Sequence, residues 1–202
     1  YTWTVTTPAG ITGASNQVTA QTSISQTLNN TTSSSINVVY TVTASFGTAP
    51  TVCTDTFIIT VTVNPNPSIA NKTQTICSGT TFTVTPSNTA PDVVPTGTTY
   101  TWSVAAPAGI TGASNQATAQ TSISQTLTNT TSTSLSAVYT VTATFGTAPN
   151  SCSSSFNITV TVIPNPNITD VTQTICSTGT FTVTPTNTAP DVVPTGTTYT
   201  WT

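Results

Sequence analysis

Few residues in this chain can do chemistry. It holds four Cys, four Asp and a single Lys among 202 residues, with no His, Glu, Arg or Met. Ser and Thr hydroxyls are abundant, since 57 of the 202 residues are Thr. A hydroxyl becomes a nucleophile only beside a base that takes its proton. With neither His nor Glu to act as that base, the sequence assigns no catalytic residue and the chain is read as no enzyme. No cofactor-binding motif is present, and a His-ligated metal has no ligand. Asp92 and Asp191 sit in equivalent Thr-Ala-Pro-Asp-Val-Val-Pro loops. A Ca²⁺ site needs several oxygens, usually from more than one carboxylate, so these are read as turn formers and no metal site is assigned.

The charge pattern excludes further classes. Lys72 is the only cation, and the formal net charge is −3. Nucleic-acid binding requires a basic face to neutralise phosphates, so no nucleic-acid partner is expected. Apolar runs of only a few residues leave no stretch for a transmembrane helix, and no membrane insertion is expected. Solubility must rest on hydroxyls and amides.

The cysteines are the remaining reactive groups. Cys53 is equivalent to Cys152 and Cys77 to Cys176, two per unit. That count in a chain without ionic surface reads as disulfides in an exported protein. The expected pair is Cys77–Cys152, closing a loop of about 75 residues, with Cys53 and Cys176 finding partners outside these 202 residues. Two rivals stay open: Cys53–Cys77 with Cys152–Cys176, and bridges between neighbouring domains of a longer chain.

An internal repeat sets the organisation that must position these groups. Tyr1-Thr2-Trp3 recurs as Tyr100-Thr101-Trp102 and as Tyr199-Thr200-Trp201, a period of about 99 residues. Pro65-Asn66-Pro67 and Pro164-Asn165-Pro166 punctuate it, and Pro ends a sheet ladder. The expected domains are therefore 1–66, the last two-thirds of a repeat; 67–165, a complete repeat; and 166–202, the first third of the next. The phase suggests a window on a longer linear array. A period near 99 suits an independent sandwich, not a solenoid turn.

Within the complete repeat, apolar residues alternate with Thr and Ser at period two. Phe82 and Val84 form one run, Tyr100, Trp102 and Val104 another. Ala119, Thr121, Ile123 and Leu127 are placed on one face of a third. Leu135 to Phe145 is the longest, through Tyr139 and Val141, and Phe156, Ile158, Val160 and Val162 form the last. With a strand near Thr73–Cys77 this makes about seven strands. β-branched Thr and Val favour strand, so the expected fold is all-β: tandem immunoglobulin-like sandwiches whose core contains Trp102, Tyr139, Val141, Phe82, Phe156 and Ile158. Thr on the outer face keeps the surface wet. Nearly bare edges with a single Lys leave lateral self-association open.

Three stretches carry a resemblance: Gln74-Thr75-Ile76-Cys77-Ser78-Gly79, then Phe82-Thr83-Val84-Thr85-Pro86, then Val94 to Trp102. With Phe156-Asn157-Ile158-Thr159-Val160-Thr161-Val162 before Pro164, the chain resembles the PKD-like, Ig-like repeats of Bacteroidota surface proteins. Such repeats build very large adhesins exported by the type IX system, including SprB-like filaments of gliding cells. The resemblance implies an extracellular, cell-surface location and a stalk or adhesin role, with neighbouring repeats of the same polypeptide as partners. It carries no catalytic residues. A second expectation is a carbohydrate- or polymer-binding sandwich. That reading needs exposed aromatics, whereas the alternation turns Trp102, Tyr100 and Phe82 inward.

Overall fold

A computed structural model describes residues 1–202. It is all-β, with thirteen strands and no helix. Contacts divide the chain into two units. One comprises Tyr1–Ile69, Pro86–Thr99 and Ala143–Ser155; the other comprises Ala70–Thr85, Tyr100–Thr142 and Phe156–Thr202.

In the first unit β1 (Thr2–Val5), β4 (Ile36–Thr48) and β5 (Thr51–Val63) form a sheet in the order β1-β4-β5. The short β2 (Ile11–Thr12) and β3 (Asn29–Asn30) pair separately. The hairpin β4–β5 is in continuous antiparallel register from Ile36↔Val63 to Thr48↔Thr51. Its inner face buries Val38, Tyr40 and Val42 with Trp3 and Ile11. That is the face dictated by alternation with Asn37, Val39 and Thr41.

The strands centred on the second unit are β6 (Lys72–Cys77), β7 (Thr80–Val84), β8 (Thr99–Ala105) and β9 (Ile110–Thr111). Next come β10 (Gln116–Gln120), β11 (Ile123–Asn129), β12 (Leu135–Phe145) and β13 (Cys152–Ile163). Five make one sheet, β10-β8-β12-β13-β6, and three the other, β7-β11-β9. The first and last strands, β6 and β13, pair in parallel from Ile158↔Lys72 to Ile163↔Cys77. The core between the sheets holds Phe82, Ile123, Leu127, Tyr139, Val141, Ile158 and Val160. Phe82 packs on Tyr139 with ring centroids 5.0 Å apart. On the outer side of β7–β11, Thr81 meets Thr126 (Oγ1···Oγ1 2.6 Å) and Thr83 meets Ser124 (2.9 Å). Cross-strand hydroxyl pairs of this kind let Thr serve as both strand former and wet surface.

One expected strand is two. The stretch from Ala119 to Leu127 does not present one face. β10 pairs with β8, and after a bend at Thr121–Ser122 the chain changes sheets, so β11 pairs with β7 and β9. Ala119 and Thr121 are exposed, while Ile123 and Leu127 are fully buried.

Candidate functional site

The most organised side-chain chemistry in the second unit is a polar cluster at the edge of its core. β8 carries Trp102 inward at 7% exposure. Its indole Nε1–H donates to the Ser114 carbonyl at 3.1 Å. Gln125, on β11, donates from Nε2 to the same carbonyl and to Ser114 Oγ, both at 2.8 Å. The Ser114 amide donates back to Gln125 Oε1 at 3.0 Å, and the Tyr139 hydroxyl donates to that oxygen at 2.9 Å. Burial pushes the Tyr139 phenol up to about 12, because its anion would sit away from water. Tyr139 is therefore a neutral donor, not a base.

The first unit repeats the arrangement. Trp3 donates to the Ser15 carbonyl at 3.0 Å, and Tyr40 to Gln26 Oε1 at 2.8 Å. Gln26 donates to the Ser15 carbonyl at 2.7 Å. Burial raises Tyr40 as well. The cluster satisfies the polar tips of buried aromatic rings, as buried Trp and Tyr require. Sequence alternation placed the aromatic rings and missed the glutamines. The available signal was Gln in both copies of Thr-Ser-Ile-Ser-Gln-Thr-Leu.

A second buried polar residue, Asn129, closes the end of β11. Its Nδ2 donates to the carbonyls of Thr133 (2.8 Å) and Val162 (2.9 Å). Its Oδ1 accepts from the amide (2.9 Å) and hydroxyl (2.8 Å) of Thr131. Its backbone amide donates to Ser78 Oγ at 2.9 Å. One side chain thus ties a turn to β13. Neither cluster contains a nucleophile paired with a base.

The expected disulfide is corrected. All four cysteines are free thiols, with Cys53, Cys77 and Cys176 exposed. Cys77 stands opposite Ile163, while Cys152 begins the same β13 eleven residues earlier. At about 3.3 Å of rise per residue the two lie roughly 36 Å apart along the strand, far beyond the ~7 Å limit for a bridge. The parallel pairing of β6 with β13, which alternation does not reveal, is the reason. Cys152 Sγ instead faces the Asn64 carbonyl oxygen at 4.0 Å.

The carboxylates have structural surroundings. Asp92 is buried, and its amide donates to the Thr89 carbonyl at 3.0 Å. Asp191 Oδ1 accepts from the Thr169 amide (2.9 Å) and hydroxyl (2.8 Å). No three His, Cys, Asp or Glu side chains come together. Among the expected core residues, Tyr139, Val141 and Ile158 are fully buried, and Phe82 and Phe156 nearly so. Trp201 is the bare indole, 89% exposed, in a segment without strands.

Two-layer, all-β units with the Trp rings of β1 and β8 turned inward define the class: an immunoglobulin-like β-sandwich module. The family model for the PKD-like domain matches residues 1–67 and 74–166, and the chain belongs to that family. PKD-like domains are typically found in extracellular proteins, as structural or binding modules that are generally non-catalytic. No curated protein matches the chain.

Proposed function

We propose that the chain is a load-bearing segment of a long extracellular surface fibre or adhesin, built of sandwich repeats in tandem. The repeats run 1–66, 67–165 and 166–202, the outer two being parts of further repeats. The single observation that carries this reading is the parallel ladder of β6 with β13. These are the first and last strands of the repeat spanning 67–165. Tension applied through the chain pulls them in opposite directions along their length. The ladder's hydrogen bonds are then loaded together in shear, not opened one by one. A stalk element needs that property and a ligand-binding module does not.

The Thr-rich outer strands fit the same role, since they need no ions to stay wet. The resemblance to Bacteroidota repeats supports a type IX, SprB-like setting with a stalk or gliding-adhesin function. The glycan-binding alternative calls for an aromatic platform on a sheet face; Trp3 and Trp102 are buried, and the exposed Trp201 lies outside every strand. The test is electron microscopy of the native particle with an antibody to this segment. The reading expects a labelled thread with a bead spacing near 40 Å, about the length of a twelve-residue strand. Label on isolated globular particles would refute it.

A further inference from the structure

The two cysteines of a repeat converge on one backbone position. In the second unit Cys77 ends β6 opposite Ile163 on β13, and the Ile163 carbonyl accepts from the Ser78 amide at 2.8 Å. The side chains of Cys77 and Ile163 are both exposed. One period earlier the place of Ile163 is taken by Asn64, just before Pro65 as Ile163 is just before Pro164. In the first unit the tip of the β12–β13 hairpin, within Ala143–Ser155, lies with residues Tyr1–Ile69. Asn64 Nδ2 donates to the Asn150 carbonyl at 3.1 Å, and Cys152 Sγ lies 4.0 Å from the Asn64 carbonyl oxygen. Cys77 thus flanks this carbonyl position from its own repeat, and Cys152 flanks it from the repeat that follows.

The two observations belong to successive junctions, and the junctions recur. Asn88 Nδ2 donates to Ser33 Oγ at 2.9 Å, and one period later Asn187 Nδ2 donates to Ser132 Oγ at 2.7 Å. Ser68 pairs with Val93 as Asn167 pairs with Val192. Cys152 touches a backbone carbonyl, so Ile in place of Asn at the next junction leaves that contact possible. Superposed by one period, the following repeat's cysteine sulfur and the Ser78 amide meet at a single carbonyl oxygen. With neighbouring strands ~4.8 Å apart, that brings Cys77 within the ~7 Å span of a disulfide.

We infer that Cys77 forms a disulfide with the equivalent of Cys152 in the following repeat, and Cys152 with the equivalent of Cys77 in the preceding one. The inference rests on the tandem-repeat reading and names the link between its units. No two of Cys53, Cys77, Cys152 and Cys176 stand in that relation, in keeping with four free thiols. Every repeat then uses both its cysteines, one toward each neighbour. The oxidant is a small disulfide, here glutathione disulfide. Two cysteine thiols give up two protons and two electrons, one S–S bond forms between repeats, the oxidant's S–S bond breaks, and two glutathione thiols are released. The link staples the end of β6 in one repeat to the start of β13 in the next. A junction otherwise held by Asn–Ser hydrogen bonds becomes covalent.

The test lengthens the chain by an in-place duplicate of residues 67–165, which supplies one such pair: Cys77 of the first copy and Cys152 of the duplicate. The dilute chain is oxidised in a glutathione redox buffer, its remaining thiols are blocked, and its disulfides are mapped by mass spectrometry. The expected result is one intramolecular bridge in the lengthened chain and none in the 202-residue chain. Cys77→Ser in the first copy or Cys152→Ser in the duplicate should abolish the bridge. Cys152→Ser in the first copy or Cys77→Ser in the duplicate should leave it intact. Equal thermal melts of all four variants in reductant show that folding is not what they alter. No bridge in the lengthened chain, the opposite pattern of substitutions, or a bridge inside the 202-residue chain would overturn the inference. Mapping the native polypeptide separates this from the fibre reading. A regular thread whose cysteines are free overturns the link and leaves the fibre intact, whereas globular particles overturn the fibre and leave the link to the map of the lengthened chain.

Discussion

The indole N–H of Trp102 donates to the carbonyl of Ser114 at 3.1 Å, while the ring itself is buried between the sheets. One residue thereby fills the core and fixes the loop before β10. Trp102→Ala should cost about 3–5 kcal/mol, from a large cavity plus an unpaired carbonyl. Chemical denaturation measures it as a fall in midpoint at unchanged slope. A loss below about 1 kcal/mol would show that the ring is not part of the core.

Tyr139 gives the fold a pH dependence confined to alkaline conditions. Burial raises its phenol from the ordinary value near 10.0 to about 12 in the folded state. A group whose folded pKa is raised contributes stability that is present below the unfolded value and lost as pH climbs through the folded one. Stability should therefore be flat from pH 5 to 8 and fall between about pH 10 and 12. Tyr139→Phe should lose about 1–2 kcal/mol at neutral pH, from the hydroxyl's bond to Gln125, and show a shallower alkaline decline. Thermal melts across that range check both.

Asn129→Ala strands the carbonyls of Thr133 and Val162 and the amide of Thr131 together. The expected cost is about 2–4 kcal/mol, above the usual value for one hydrogen bond because the groups form a network in a dry setting. Asn129→Asp should be no better, since a carboxylate accepts but does not donate. Urea melts of the two variants test this.

Gly112 and Gly97 share a positive φ (+87° and +93°) but not their surroundings. A Cβ on Gly112 runs into the Thr126 carbonyl oxygen, whereas one on Gly97 meets open space. Gly97→Ala should cost only the left-handed backbone strain, about 1 kcal/mol, and Gly112→Ala clearly more. Equal losses in a melt would contradict the turn geometry.

What was legible in the sequence was whatever rests on alternation. Leu135 to Phe145 and Phe156 to Val162 read as strands because apolar and hydroxyl residues take opposite faces without interruption. The change of sheets near Thr121 was hidden, since Thr is at home on either face and Ala119, Thr121 and Ile123 stay in phase across the bend. The Trp102–Ser114–Gln125–Tyr139 cluster was half legible: its rings follow the pattern, but polar partners eleven to fourteen residues away leave no period. The cysteines misled because loop length says nothing of which strands run parallel. Once β6 lies beside β13 with Cys77 at Ile163, the pair Cys77–Cys152 is out of reach.

Pulling single chains by their ends tests the load-bearing repeat most directly. Residues 67–165, fixed between β6 and β13, should yield in one cooperative event. That event releases about 300 Å, being about 98 residues at ~3.5 Å each less a folded length near 40 Å. A single high-force peak with that increment is the predicted trace. Gradual extension without a peak, or release in several small steps at low force, would contradict the account.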